Sequence, residues 1–122
     1  MIELIEGAPQ GVLAFKAVGE VVAKDYEDVL KPAVDAALAG GHKIRCVYEI
    51  GPEFDRYSMG ASWDDTMIGF AHLTKWERCA VVTDRDWVEH AVKGFGWMMS
   101  GKVRVFGVDE LTTALEWAAS DA

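Results

Sequence analysis

The chain has 122 residues, enough for one domain with its own core, and about half of them are apolar and a quarter charged. Twenty acidic against twelve scattered basic side chains give a net charge of −8. This argues against non-specific binding to nucleic acid or anionic membrane, both of which need clustered Lys and Arg. No apolar run approaches the roughly 20 residues that cross a bilayer, and no basic leader with an apolar centre opens the chain. The expected location is the cytoplasm, with residues 1–122 forming one domain.

Met1 to Glu6 is a short apolar stretch ended by the turn Gly7-Ala8-Pro9-Gln10-Gly11. Val12 to Val18 alternates, with Leu13, Phe15 and Ala17 on one face, so the two runs predict a hairpin. From Lys24 to Leu38, the positions Tyr26, Val29, Leu30, Ala33, Val34, Ala37 and Leu38 follow helical spacing. Asp25 is the expected cap and Gly40-Gly41 the stop. Pro32 removes a donor inside this helix and predicts a kink or two shorter helices.

Lys43 to Ile50 reads as a buried strand and Gly51 to Ala61 as irregular. Ser62-Trp63-Asp64-Asp65 opens a second helix to about Trp76, because the Ser62 hydroxyl can accept from the Asp65 amide. Glu77 to Thr83 is a third buried strand. Asp84 to Met99 holds a third helix, with Asp86 as cap and Val88, Ala91, Val92, Phe95 and Met99 on one stripe. Gly101 turns into the strand Lys102 to Phe106. Asp109 is expected to cap a last helix whose stripe is Leu111, Ala114, Leu115 and Ala118.

The order β-β-α-β-α-β-α-β-α predicts an α/β fold: an open, mixed, mostly parallel sheet of four to five strands with helices on its faces, the first strand antiparallel at an edge. Cys46 and Cys79 each sit in an apolar strand and read as small buried hydrophobes. With no Cys-x-x-Cys, no calcium-loop spacing and no glycine-rich phosphate loop, the sequence calls for no metal and no cofactor.

Ligands of open α/β sheets bind beyond the carboxyl ends of the strands, which selects Glu49 to Asp65 and Thr83 to Asp86. Asp65 and His72, seven apart on one helix face, could act with Glu49 as an acid/base set. That is the enzymatic alternative, a small hydrolase or isomerase, although no nucleophile accompanies them. His42 follows a helix end, and His90 is expected to face solvent. Of five tryptophans, Trp63, Trp76, Trp87 and Trp97 fall in or beside the second and third helices. With Met67, Phe70, Phe95, Met98 and Met99 they exceed what one stripe per helix buries. A ligand or partner surface of Glu49, Asp65, His72, Trp63, Trp87 and Met98 is therefore expected, most simply a homodimer contact bordering an apolar pocket.

Several stretches carry a family resemblance: Gly19-Glu20-Val21 leading to Asp25-Tyr26 and Pro32; His72-Leu73 followed by Trp76 to Asp84; Asp86-Trp87-Val88; and Val103 to Phe106 followed by Ala114-Leu115-Glu116-Trp117. In this order and spacing the chain resembles the SpoIIAA-like family, related to STAS domains and anti-sigma-factor antagonists. The resemblance implies a non-enzymatic, regulatory role: binding a protein partner or an apolar, lipid-like small molecule. Antagonists of this type are switched by phosphorylation in an Asp-Ser-Ser-Gly-like motif. Here the stretch reads Tyr57 to Asp65 without that motif. Ser62 is the only positional candidate, and Asp64 and Asp65 would repel a phosphate there, so no phosphorylation is expected.

Overall fold

The computed structural model describes residues 1–41, 43–57, 76–95 and 101–120. Ser62, the helix expected from it as far as residue 75, and the calls on His42, Trp63, Asp65, Met67, Phe70, His72, Trp97, Met98 and Met99 lie outside the described residues; Trp76, expected to end that helix, begins a strand instead.

Five strands form the main sheet: β1 (Ile2–Leu4), β2 (Val12–Ala17), β4 (Ile44–Ile50), β6 (Trp76–Thr83) and β7 (Lys102–Phe106), in spatial order β1-β2-β4-β6-β7. β1 pairs antiparallel with β2 at the edge, as the short Gly7 to Gly11 turn implies. All other pairings in this sheet are parallel. Gly7 and Gly11 both take positive φ, which closes the hairpin at little steric cost.

Two strands were not foreseen. β3 (Gly19–Val21) and β5 (Phe54–Tyr57) pair in parallel as a separate two-stranded sheet. β5 corrects the reading of Gly51 to Ala61 as wholly irregular. Both strands are too short to show a period, and Asp55 and Arg56 put consecutive charges into β5.

The first helical segment starts at Ala23, earlier than expected. It comprises α1 (Ala23–Asp25), a π-helical turn (Tyr26–Leu30) and α2 (Lys31–Ala39). Asp25 is therefore not the cap: it sits in the third helical position and its carboxylate accepts from the Val22 amide at 2.8 Å. The π-turn is the answer to Pro32. The Lys31 amide donates five residues back to the Tyr26 carbonyl, which widens the helix where the proline ring needs room.

α3 (Asp86–Phe95) buries Val88 and Val92, with Ala91 packed beside them. Asp86 is its first residue, and His90 is exposed as expected. A 3-10 turn (Val108–Glu110) leads into α4 (Leu111–Ala119). Asp109 lies inside that turn and does not cap the helix. Glu110 instead reaches back to accept from the Gly107 amide at 2.8 Å.

The alternation of the strands sorts the side chains onto two faces. Phe15, Ala17, Cys46, Tyr48, Ile50, Cys79 and Val81 meet Leu30, Val34, Val88 and Val92 on one face. Val12, Ala14, Val47, Ala80, Val82 and Phe106 meet Ala114 and Ala118 of α4 on the other. β4 and β6 are thus covered on both sides, which is why they read as near-continuous apolar runs. Cys46 and Cys79 are direct register partners, both free and buried. Contact with the Cys79 thiol and burial together push the Cys46 thiol well above its ordinary pKa, which keeps Cys46 protonated.

α4 is fastened by two arginines at the amino ends of the central strands. Arg78, only 4% exposed, donates to the Trp117 carbonyl at 3.0 Å and stacks on the Trp117 ring. Arg45 donates to the carbonyls of Ala118 and Ser120 at 3.1 and 2.9 Å and pairs with Glu77. Two cations thereby satisfy the orphan carbonyls at the helix C-terminus and complement its dipole.

Gly101 makes a close approach of another kind. A Cβ there would lie 2.6 Å from the carbonyl oxygens of both Trp76 and Glu77, which are backbone atoms of β6. Replacing Gly101 by Ala should force β7 away from β6 and cost about 2–3 kcal/mol, measurable by denaturant unfolding. An unchanged midpoint would show that the two strands are not packed this closely.

Candidate functional site

The carboxyl ends of β2, β4 and β6 lie together, and two clusters form there. The first is polar. Lys16 near the end of β2 and Glu49 near the end of β4 are register partners, and Glu3 of β1 is the partner of Lys16 on its other side. Glu53, from the turn after β4, binds the Lys16 ammonium at 2.7 Å. That hydrogen bond raises the Lys16 pKa, so the amine remains a cation and is unsuited to nucleophilic or Schiff-base chemistry. Glu49 is half-buried. Its pKa is raised, first by desolvation and then by the nearby charge of Glu53, with Lys16 acting in the opposite sense.

The second cluster is aromatic. The Thr83 hydroxyl donates to the Ile50 carbonyl at 2.8 Å and accepts from the Arg85 amide at 3.0 Å, joining the ends of β4 and β6. The Arg85 guanidinium donates to the Phe54 carbonyl at 2.6 Å and lies 5.4 Å from the centre of the Phe54 ring. The Phe54 ring is buried and packs against Trp87, with centroids 6.4 Å apart and planes tilted by 48°. Trp87 remains 44% exposed, one of three large apolar side chains exposed among the described residues, with Met1 and Leu4.

Of the surface expected from the sequence, the structure describes Glu49 and Trp87. They belong to the two different clusters at this edge. Asp65, His72, Trp63 and Met98 lie outside the described residues. Three participants were missed: Lys16, Phe54 and Arg85. Lys16 looked like the exposed member of an alternating strand, and Phe54 stood in a stretch read as loop. Arg85 offered a signal, being a lone cation between Asp84 and Asp86 at a strand-to-helix turn. Among the described residues no group of three His, Cys, Asp or Glu side chains could hold a metal ion, and no helix is long and apolar enough to cross a membrane.

The Glu49 environment gives a signed pH dependence. Its folded pKa lies above the unfolded value of about 4.5, so the protonated form favours the fold. That contribution is complete below about pH 4.5 and is lost as pH rises through the folded pKa. Glu49→Gln, neutral at every pH, should therefore raise the melting temperature at pH 7. The gain should shrink as both proteins are taken below pH 4.5. A variant less stable than the parent at pH 7 would show that attraction to Lys16 outweighs desolvation.

Comparison with known proteins gives a consistent family. The SpoIIAA-like family model matches residues 12–119. Among solved structures, an uncharacterized protein of the DUF3478 family with a SpoIIAA-like fold, from Shewanella loihica, superposes with a TM-score of 0.73 at 31% sequence identity. The alignment covers 96% of this chain and 93% of that one. A search of curated proteins gave no match. The matched span runs from β2 to the last residue of α4, and the chain belongs to the SpoIIAA-like family.

Proposed function

We propose that the chain is a non-catalytic binding module whose partner is a protein, engaged at the carboxyl edge of the sheet around Trp87. The observation that carries this reading is the exposure of Trp87 on a rigid base. Its ring rests on buried Phe54, which Arg85 holds by its carbonyl and its face. Tryptophan offers a large contact area at low entropy cost and dominates many protein interfaces. The carboxyl edge is also where open α/β sheets present their ligands. SpoIIAA-like folds are associated with protein–protein regulation, which supports the same reading.

The hydrolase or isomerase alternative retains one supporting observation, the raised pKa of half-buried Glu49 at the same edge. Against it, the described charges that act on Glu49 are Lys16, a fixed cation, and Glu53, which is engaged with that lysine. An apolar small-molecule ligand has less support. A recess of about 130 Å³ lined by Val12, Leu13, Ala37, Ile44, Lys43 and Arg45 lies at the opposite, amino end of the strands and is open to solvent.

Cross-linking in the native host followed by mass spectrometry tests the proposal. The parent chain should capture a defined protein, and Trp87→Ala should lose it while Glu49→Gln retains it. Equal capture by the parent and Trp87→Ala, or loss with Glu49→Gln alone, would contradict it.

A further inference from the structure

β7 ends one side of the main sheet, and among the described residues no strand pairs with its outer side. It is the longer of the two edges, with five residues against three in β1. It pairs with β6 at five successive positions without a register shift, and it contains no proline. Such an edge presents main-chain donors and acceptors in a regular row, which proteins guard with bulges, prolines or charge. Here the guard is charge. Lys102 and Arg104 stand two apart, hence on one face of the strand, and both are exposed. Arg104 lays its guanidinium 4.8 Å from the centre of the Phe106 ring, and no described carboxylate pairs with either cation. Elsewhere in this chain of net charge −8, Lys16, Lys24, Arg45, Arg56, Arg85 and Lys93 each have a carboxylate partner. Lys102 also ends a row of cations across the sheet, as the register partner of Arg78, which is itself the partner of Arg45. Val103 and Val105 turn to the opposite face and pack half-buried against the core there.

We propose that β7 takes an extended segment of a partner protein as a sixth strand, and that this segment alternates acidic and apolar side chains. The surface includes none of Phe54, Arg85 and Trp87, so it stands or falls apart from the reading above. When a strand is added to a sheet, main-chain hydrogen bonds supply affinity and alternate side chains supply selectivity. Carboxylates on the added strand stand beside Lys102 and Arg104, where opposite charges on neighbouring strands attract. Its apolar residues then fall beside Val103 and Val105, because side chains alternate between faces. Other occupants meet a cost. A basic segment sets cations against cations. A second copy, paired two-fold and antiparallel about Arg104, opposes that arginine to itself. The two charges that keep copies of this edge apart therefore select an acidic strand.

The test is a heteronuclear NMR titration of the full chain with three synthetic peptides of equal length. One alternates Glu and Val. The second alternates Lys and Val. The third alternates Glu and Pro, which keeps every carboxylate and cannot pair as a strand. The Glu-Val peptide should shift the resonances of residues 102–106 and slow the exchange of alternate β7 amides at least about ten-fold, while the other two do neither. Lys102→Glu combined with Arg104→Glu should weaken the Glu-Val peptide at least about ten-fold and let the Lys-Val peptide bind in its place. Both positions are exposed, and Lys102→Glu alone carries the test if the double variant fails to fold. Trp87→Ala should leave the Glu-Val peptide bound, which separates this surface from the one proposed above. Equal binding by the Glu-Pro peptide would show attraction between charges without an added strand and would overturn the proposal. So would equal binding by the Lys-Val peptide, or a Glu-Val peptide that leaves residues 102–106 unmoved. A dimer in sedimentation that Lys102→Glu alters, with no peptide bound at β7, would assign this edge to a second copy and overturn the foreign partner.

Discussion

Arg85 donates to the Phe54 carbonyl and lays its guanidinium over the Phe54 ring, while its own amide is held by the Thr83 hydroxyl, which in turn donates to the Ile50 carbonyl. This chain of bonds ties the end of β6 to the end of β4 and to the start of β5. A three-residue stretch, Thr83 to Arg85, at a strand-to-helix turn thus anchors the small β3–β5 sheet to the large one. The arrangement solves two problems at once. A guanidinium placed near a ring and a carbonyl keeps its donors satisfied at partial burial. The backbone carbonyls released by the turn after β4 receive a donor that the sheet ladder cannot supply.

The opposite end of the sheet uses the same chemistry for a different purpose. Arg45 and Arg78 act on the C-terminus of α4, filling the carbonyls that every helix leaves open. The helix meets the sheet through Ala114 and Ala118, small side chains that bury little area each. The arginines and the Trp117–Phe106 contact, with centroids 5.8 Å apart, supply what the alanine seam does not. An acidic protein therefore spends several of its few cations internally. At the carboxyl edge Arg85 is committed in the same way, to the Phe54 carbonyl and to Asp84.

Much of the architecture was legible because β4 and β6 are buried on both faces and announce themselves as apolar runs, and because Val88, Ala91 and Val92 keep helical spacing. The hairpin followed from Gly7 and Gly11, whose positive φ the turn requires. The misses have local causes. Asp25 and Asp109 are good capping residues by type, yet the helix and the turn begin earlier, and carboxylates in the third position reach back to the amide instead. Pro32 predicts a kink or two shorter helices, and the chain does form two α-helical pieces, joined by a π-turn that composition does not reveal. Phe54 and Arg85 were illegible as a pair because their contact depends on how two loops meet across the sheet. Glu49 was singled out because it stands at a strand end, and Trp87 because the aromatics exceed one stripe per helix; the structure describes both at the carboxyl edge.

The central claim is that Arg85 organises the carboxyl edge that presents Trp87. Native-state hydrogen exchange on Arg85→Ala tests it most directly. The account predicts that the amides of β3 and β5 exchange at least about ten-fold faster, the signature of a local opening, while β4 and β6 keep the protection of the parent chain. Unchanged protection in β5, or an equal loss across the whole five-stranded sheet, would contradict it.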